Sequence, residues 1–320
     1  MGNMKDMKER FMRNKMIRRL SPRRFNYANL AVYVVLVLIS YQFIYPILRM
    51  ITTALMSAQD IINPTVNWIP KSWAFGNIKI AAAVLDVKRT LLNSLWYSAL
   101  LAFCQTVVSA MTGFAFARYN FKFKNFWFVM VIVSFILPTP VMLIPRTMLF
   151  VSIQESTGIS MIGTPIPQIA MSLLGQGIYS AILILIFYNF IRMIPRALDE
   201  AAVIDGANSA QVFYHIILKM SLTTILIVFL FSFVWNWNET YVTATFLRGK
   251  IALMPSRLNM FDSIFANYGS GGGVGSEQSR LNEAYKMSAT FISILPLFVL
   301  YLIVQRQFIK GIEAAGITGE

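Results

Sequence analysis

The sequence predicts an all-α integral membrane protein with six transmembrane helices, and two observations predict it. Hydrophobic residues fill 57% of the 320 positions and charged residues only 13%, against roughly 45–50% and about 25% in soluble domains. A soluble body of this size could not cover its surface with so few charges. The apolar residues also fall in windows of about 20, the length that crosses a bilayer. The same composition excludes disordered, collagenous and disulfide-scaffold classes. The single cysteine, Cys104, lies in an apolar run and can form no internal disulfide.

The six windows are Ala28–Met50, Leu92–Ala115, Phe126–Pro145, Gln168–Ile191, Leu222–Tyr241 and Met287–Phe308, the fourth interrupted by Gly175, Gln176 and Gly177. The chain carries 28 Lys and Arg against 14 Asp and Glu, a net +14. Half of that excess sits before the first window, in a tail of nine basic residues from Lys5 to Arg24 with Asp6 and Glu9. A basic segment beside a span marks the cytoplasmic side. Nucleic-acid binding would need a folded basic surface with base-reading groups, and the sequence offers none. The first window is too long for a signal peptide and lacks a small-residue cleavage site, so it reads as a retained span. Arg118, Lys122 and Lys124 put the segment between spans 2 and 3 inside as well. The expected organisation is a cytoplasmic tail over residues 1–27, a six-span body over 28–308, and a cytoplasmic C-terminal tail over 309–320. Both ends are expected inside, in a multi-pass protein of the cell (plasma or inner) membrane.

Prolines 46, 138, 140 and 296 fall within the windows. Each removes a backbone hydrogen bond that must be recovered elsewhere. The Pro138-Thr139-Pro140 run predicts that span 3 breaks where it lines a cavity, with Ser134 and Thr139 near enough to help. Residues Phe265–Arg280, with glycines at 269, 271, 272, 273 and 275, read as a flexible external loop.

Between spans 4 and 5 the chain reads Ile194-Pro195-Arg196-Ala197-Leu198-Asp199-Glu200-Ala201-Ala202-Val203-Ile204-Asp205-Gly206-Ala207. Proline suits a first helical turn, and Gly206 can end the helix in a left-handed conformation. Leu198, Ala201, Ala202 and Asp205 fall near one stripe. Asn208 reads as an N-cap with Gln211 completing a capping box. The helix that follows, over 209–218, would present Val212, Phe213, Ile216 and Ile217. Two short helices joined at a glycine form an elbow outside the membrane.

At these residues the sequence resembles a known family. Glu200-Ala201-Ala202, then Gly206, Ile216 and Leu218 match the spacing of the EAA loop of ATP-binding-cassette importer permeases. Pro195 and Asp205-Gly206-Ala207 look like the carbohydrate branch, the second permease of maltose-type importers. Asn93-Ser94, Ala115-Phe116-Ala117-Arg118, Trp237-Asn238-Glu239, Gln305-Arg306-Gln307-Phe308 and Gly311 extend the resemblance over most of the chain. Lys219 and Thr223 stand where that family usually has prolines, which puts the elbow into span 5 in question.

The resemblance implies a sugar-importer permease, oligosaccharides being the expected cargo, with an EAA loop over residues 195–219 as its coupling-helix elbow. Its expected partners are a second homologous permease, two cytoplasmic ATPase subunits, an extracytoplasmic solute-binding protein, the sugar and the bilayer, without nucleic acid. Glu200, Ala201, Ala202, Asp205, Gly206, Ala207, Ile216 and Leu218 would then couple to the ATPase. No phosphate-binding glycine loop occurs in the chain, so it is expected to be no enzyme and to hold no cofactor. ATP and magnesium would be bound by the ATPase subunits. His215 reads as a surface or interface residue, since metal sites need several donors.

Asn236, Trp237, Asn238 and Glu239 near the outer end of span 5 are candidates for the solute path. Aromatic faces stack on sugars, amides and carboxylates bond hydroxyls, and ionisable groups at membrane depth are seldom idle. Two other readings stay open: a permease of the same superfamily for another solute such as a glycerol phosphodiester, and a non-transporting membrane scaffold.

Overall fold

The computed structural model describes residues 27–270 and 282–317, with side chains described over 30–267 and 283–306. The basic tail and the glycine run at 271–275 lie outside the described residues. Every regular element among the described residues is helical, and Met56 with Trp73 makes an isolated bridge.

Two units divide the chain, residues 1–50 and 51–320. The first contains most of helix α1, Tyr27–Ala54, whose side chains from 30 to 48 are exposed and mostly apolar. Pro46 sits inside this helix without breaking it. So long an apolar surface is stable only against lipid or protein.

The second unit begins with the short helices α2 (Ala58–Ile62) and α3 (Gly76–Leu85). The long α4 (Val87–Arg118) follows, then α5 (Lys124–Ile136) and α6 (Thr139–Thr157). Next come α7 (Ile166–Leu173), α8 (Ser180–Met193) and α9 (Arg196–Ile204). The rod α10 (Ser209–Met220) has a π-helical stretch at Phe213–Ile217. The remaining helices are α11 (Leu222–Asn238), α12 (Tyr241–Leu247), α13 (Met254–Asn259), α14 (Phe261–Ser270) and α15 (Asn282–Ile317).

By length and composition, α1, α4 and α15 can each cross a membrane. Three bent pairs, α5–α6 at 107°, α8–α9 at 73° and α10–α11 at 80°, reach the required length only if each pair is counted as one span. Three to six spans are therefore available, and six arise if each pair counts. Helix α9 itself carries Arg196, Asp199 and Glu200 in nine residues, too polar for the hydrocarbon region.

Three windows coincide with long helices, a further one, Leu222–Tyr241, is covered by the 17-residue α11 up to Asn238, and two are broken. The third is broken at Leu137 and Pro138, whose ψ angles of 123° and 135° leave the helical region. Pro140 then sits in the first turn of α6, where its missing N–H costs nothing. Ser134 does not help there, because its hydroxyl donates to Val131 O of its own helix. The fourth window is two helices, α7 and α8, with Gly175–Tyr179 between them. Pro296 leaves α15 unbroken. The expected loop at Phe265–Arg280 is also corrected at its start, since Phe265–Ser270 continues α14.

The largest apolar cluster joins α4, α8, α10 and α11 through Ala110, Phe114, Leu183, Phe187, Ile191, Phe213, Ile217 and Val228. A second cluster packs Ala81, Val84 and Leu85 of α3 against Phe261, Phe265 and Tyr285. Leu143, Phe150, Met171, Val242 and Phe246 join α6, α7 and α12. The first of these clusters holds α8 and α11, at whose ends the candidate sites lie.

Candidate functional site

Two features stand at opposite ends of α8 and α11. The segment 195–220 joins the C-terminus of α8 to the N-terminus of α11, while the other two ends border a cleft. Helix α8 has 14 residues, so about 21 Å of rod separates the two at 1.5 Å per residue.

In the loop, Pro195 is the residue before the helix, not within its first turn, with ψ at 131°. Helix α9 stops at Gly206, whose φ of +85° is left-handed. Gly206 N–H donates to Val203 O at 3.0 Å and Ala207 N–H to Ala202 O at 2.9 Å, the paired bonds of a Schellman ending. The next helix starts with a complete capping box. Gln211 N–H donates to Asn208 Oδ1 at 2.9 Å, and Asn208 N–H donates to Gln211 Oε1 at 2.8 Å.

The inward face of α9 differs from the expected stripe. Asp199 and Ala202 turn toward the protein, and Leu198, Ala201 and Asp205 are exposed. A helix turns 100° per residue, so Glu200, Ala201 and Ile204 share the opposite side. Ile204 is 86% exposed. Ala202, Ala207, Ile216 and Leu218 lean against the α4–α8–α10–α11 cluster. His215 is exposed, its Nδ1 lying 3.1 Å from Gln211 O.

One ion pair holds the underside. Arg118, the last residue of α4, places Nε 2.6 Å from Asp199 Oδ2, with side chains only 6% and 18% exposed. The same guanidinium donates to Ile194 O, at the end of α8, at 2.9 Å. One arginine thereby ties three helix ends together. Burial pushes the Asp199 carboxyl up from its ordinary range; Arg118 and Arg196 oppose that, and Glu200 adds to it. The step into α11 is an 80° bend at buried Ser221, made without proline at 219 or 223. Ser221 N–H donates to Ile217 O at 2.9 Å, and Ile225 N–H to Ser221 O at 2.8 Å.

At the other end, the cleft encloses about 90 Å³ between the break after α5, the turn before α8 and the end of α11. Ser134, Thr139, Arg146, Gln176, Tyr179 and Asn236 are among its lining residues. Its floor is a polar network around Gln105 of α4, which is fully buried. Gln105 Nε2 donates to Ile178 O at 3.2 Å and to Ser180 Oγ at 3.3 Å. Its Oε1 accepts from Asn236 Nδ2 at 2.9 Å and from the Ser232 hydroxyl. A Cβ at Gly177 would collide with the Gln105 amide. One carbonyl of the irregular Gly175–Tyr179 stretch, Ile178 O, is thus satisfied by a buried glutamine, the kind of pairing that lets non-helical chain persist where it is buried in protein.

The span 5 candidates separate in the structure. Asn236 is buried and lines the cleft. Trp237 is buried among Ala102, Phe233 and Met254, which is core packing. Asn238 is exposed and donates to Val234 O at 2.9 Å. Glu239 accepts from Val242 N–H at 2.7 Å, closing the first turn of α12. Trp237, Asn238 and Glu239 do not line the cleft.

Residues 105–314, about two thirds of the chain, match the model of the binding-protein-dependent transport system inner membrane component family. The chain belongs to this family. As a member it is a membrane-embedded permease component. It is 24% identical over 277 residues to the diacetylchitobiose uptake system permease protein DasC of Streptomyces coelicolor, covering 86% of this chain and 92% of that one. It is 24% identical over 275 residues to the sn-glycerol-3-phosphate transport system permease protein UgpE of Pectobacterium atrosepticum, covering 84% and 90%. Its fold is similar to that in the crystal structure of a bacterial ABC transporter involved in the import of the acidic polysaccharide alginate. The TM-score is 0.67 at 15% identity, over 90% of this chain and 98% of that one.

Within this permease, sequence reasoning missed Gln105, Arg146 and the Arg118–Asp199 pair as site residues. Gln105 carried a signal, since an amide in the middle of an apolar window seeks a partner. The ion pair carried none, because its members are 81 positions apart and meet only when α9 folds back under α4.

Proposed function

We propose that this chain is the permease subunit of an ATP-driven sugar importer, forming half of a translocation path with a second permease. The names of its relatives support sugar or polyol cargo: diacetylchitobiose for DasC and sn-glycerol-3-phosphate for UgpE. In this reading α9 and α10 form the EAA elbow, lying in the cytoplasm and docking into a groove on an ATPase subunit. ATP and magnesium belong to that subunit, and a solute-binding protein delivers cargo to the opposite face.

The observation that carries the reading is the two-sided character of α9. Its outer face, Glu200, Ala201 and Ile204, is uncovered by its own chain, while Arg118 and the apolar cluster grip its underside. A pull on the outer face would be passed to α4, α8 and α11 instead of being absorbed by a slack loop. Helices α8 and α11 end at the cleft and α4 passes beside it, so movement of the loop would reshape the path about 20 Å away, as expected from rigid packed elements.

The test is retention of the ATPase on the purified permease pair, together with solute uptake in reconstituted vesicles. Glu200→Arg and Gly206→Val should keep the permease in the membrane while lowering both ATPase retention and uptake. Normal values for both variants would return α9 to an ordinary surface helix. Orientation is tested by a cysteine at exposed Ser209 in a Cys104→Ser background. It should resist an impermeant thiol reagent in intact cells and react in inverted vesicles.

A further inference from the structure

Arg146 has a setting unlike that of Arg118. It lies on α6, half-buried, and lines the cleft. Its side chain donates to Gln176 Oε1 at 2.9 Å. Among the described residues no carboxylate pairs with it and no Asp or Glu lines the cleft. A guanidinium has five N–H donors, so one neutral amide leaves most of them unused.

Two neighbouring amides of the lining are already committed to other partners. Gln168 accepts from the Tyr97 hydroxyl at 2.6 Å and donates to Thr243 Oγ1 at 3.3 Å. Asn236 is held by Gln105 and Ser232. Arg146 is therefore the charged group presented to the cleft, and Gln176 orients it without neutralising it. A guanidinium drawn partly out of water beside a neutral amide, with no carboxylate next to it, favours an anionic ligand in the same cleft.

We propose that Arg146 is the recognition point for an anionic group, a carboxylate or a phosphate, on the transported solute. The planar guanidinium fork matches both groups in bidentate fashion. The inference rests on the reading of the cleft as part of the solute path, and it names the substrate class: an acidic saccharide or a phosphorylated polyol. A neutral oligosaccharide would leave the guanidinium desolvated and unpaired.

The experiment uses the assembled importer in lipid nanodiscs, with Cys104→Ser and a reporter cysteine replacing Thr139, an exposed residue of the cleft wall. Its modification rate is measured with an anionic sulfonate and a cationic trimethylammonium methanethiosulfonate. Removing one positive charge slows the first and speeds the second. Arg146→Gln should therefore lower the anionic-to-cationic rate ratio about fivefold or more, and Arg146→Lys should largely retain it. An unchanged ratio would overturn the proposal, because a carboxylate of the second permease would then neutralise Arg146.

Protection identifies the group. Galacturonate, glycerol 3-phosphate or both should slow modification with Arg146 and not with Arg146→Gln, and the two ligands separate carboxylate from phosphate recognition. Equal protection by neutral galactose, or none by either anion, would also overturn it. The importer reading fails separately, if ATP-driven uptake is absent while the charge-dependent rate ratio persists.

Discussion

The loop at 195–220 and the cleft at the far end of the same helices both depend on a glycine, for opposite reasons. Gly206 has a left-handed backbone and open space around it, with no atom within 4 Å of where a Cβ would stand. Gly177 is confined by the buried amide of Gln105, which occupies the place a Cβ would need. The first glycine satisfies a local rule about how a helix ends. The second satisfies a packing constraint set by a residue 72 positions away. Substitution should therefore strain the backbone at the loop and the core at the cleft.

The largest effect is expected at the cleft. Gly177→Val should destabilise the folded permease by about 3 kcal/mol, the upper part of the overpacking range, read as the thermal midpoint of the detergent-solubilised complex. Gln105→Ala in the same chain should recover part of that loss, because the colliding amide is gone. Gly206→Val should cost only about 1–2 kcal/mol from the left-handed backbone while lowering ATPase retention. Equal destabilisation by the two substitutions would remove the contrast between local and tertiary constraint.

The underside of the loop comes next. Arg118→Ala should cost about 2 kcal/mol, below the 3–5 kcal/mol of a fully buried pair because Asp199 keeps some exposure. Exchanging the two residues, Arg118→Asp with Asp199→Arg, should restore more stability than either single change predicts. Arg118 also holds Ile194 O, and the exchange forfeits that bond, so recovery should be incomplete. At the helix start, Asn208→Ala should cost about 1 kcal/mol through the lost cap, visible as faster hydrogen exchange over 209–212.

A smaller effect follows from pH. Burial holds the Asp199 carboxyl above its ordinary 3.8 in the folded chain, so above that pH, until the folded group has also lost its proton, the folded state binds more protons than the unfolded one. By linkage this group's contribution to stability increases as pH falls through that window. The thermal midpoint of the wild type, compared with Asp199→Asn, should shift in the wild type's favour as pH falls from neutral toward the ordinary carboxylate range. A shift in the other direction would mean that the Arg118 charge dominates burial.

The loop was the legible part of the molecule. Asn208 with Gln211, and Gly206 with the last turn of α9, act over three to five residues, and their partners are near neighbours in sequence. The break at Pro138 was legible for the same reason, since proline restricts its own backbone and its neighbour's. The cleft was less legible. Asn236 was singled out for its position near the end of a span, yet the sequence could not separate it from Trp237, which is core, or Glu239, which caps a helix. All three positions look alike until α4 and α12 supply their partners.

Composition, charge distribution and apolar windows determined a helical membrane-embedded chain, because lipid requires backbone groups to be satisfied within the segment and a helix does so locally. The cap residues and Gly206 determined the short helices of the loop by the same local bonding. Only the tertiary structure decided that the fourth window is two helices and that α9 faces inward with Asp199. It also decided that Arg118 meets the Asp199 carboxylate while Arg146 meets the Gln176 amide. Those outcomes depend on which distant side chain arrives to satisfy a buried polar group. Burial makes an unmet charge or amide expensive, and sequence spacing does not encode the identity of its partner.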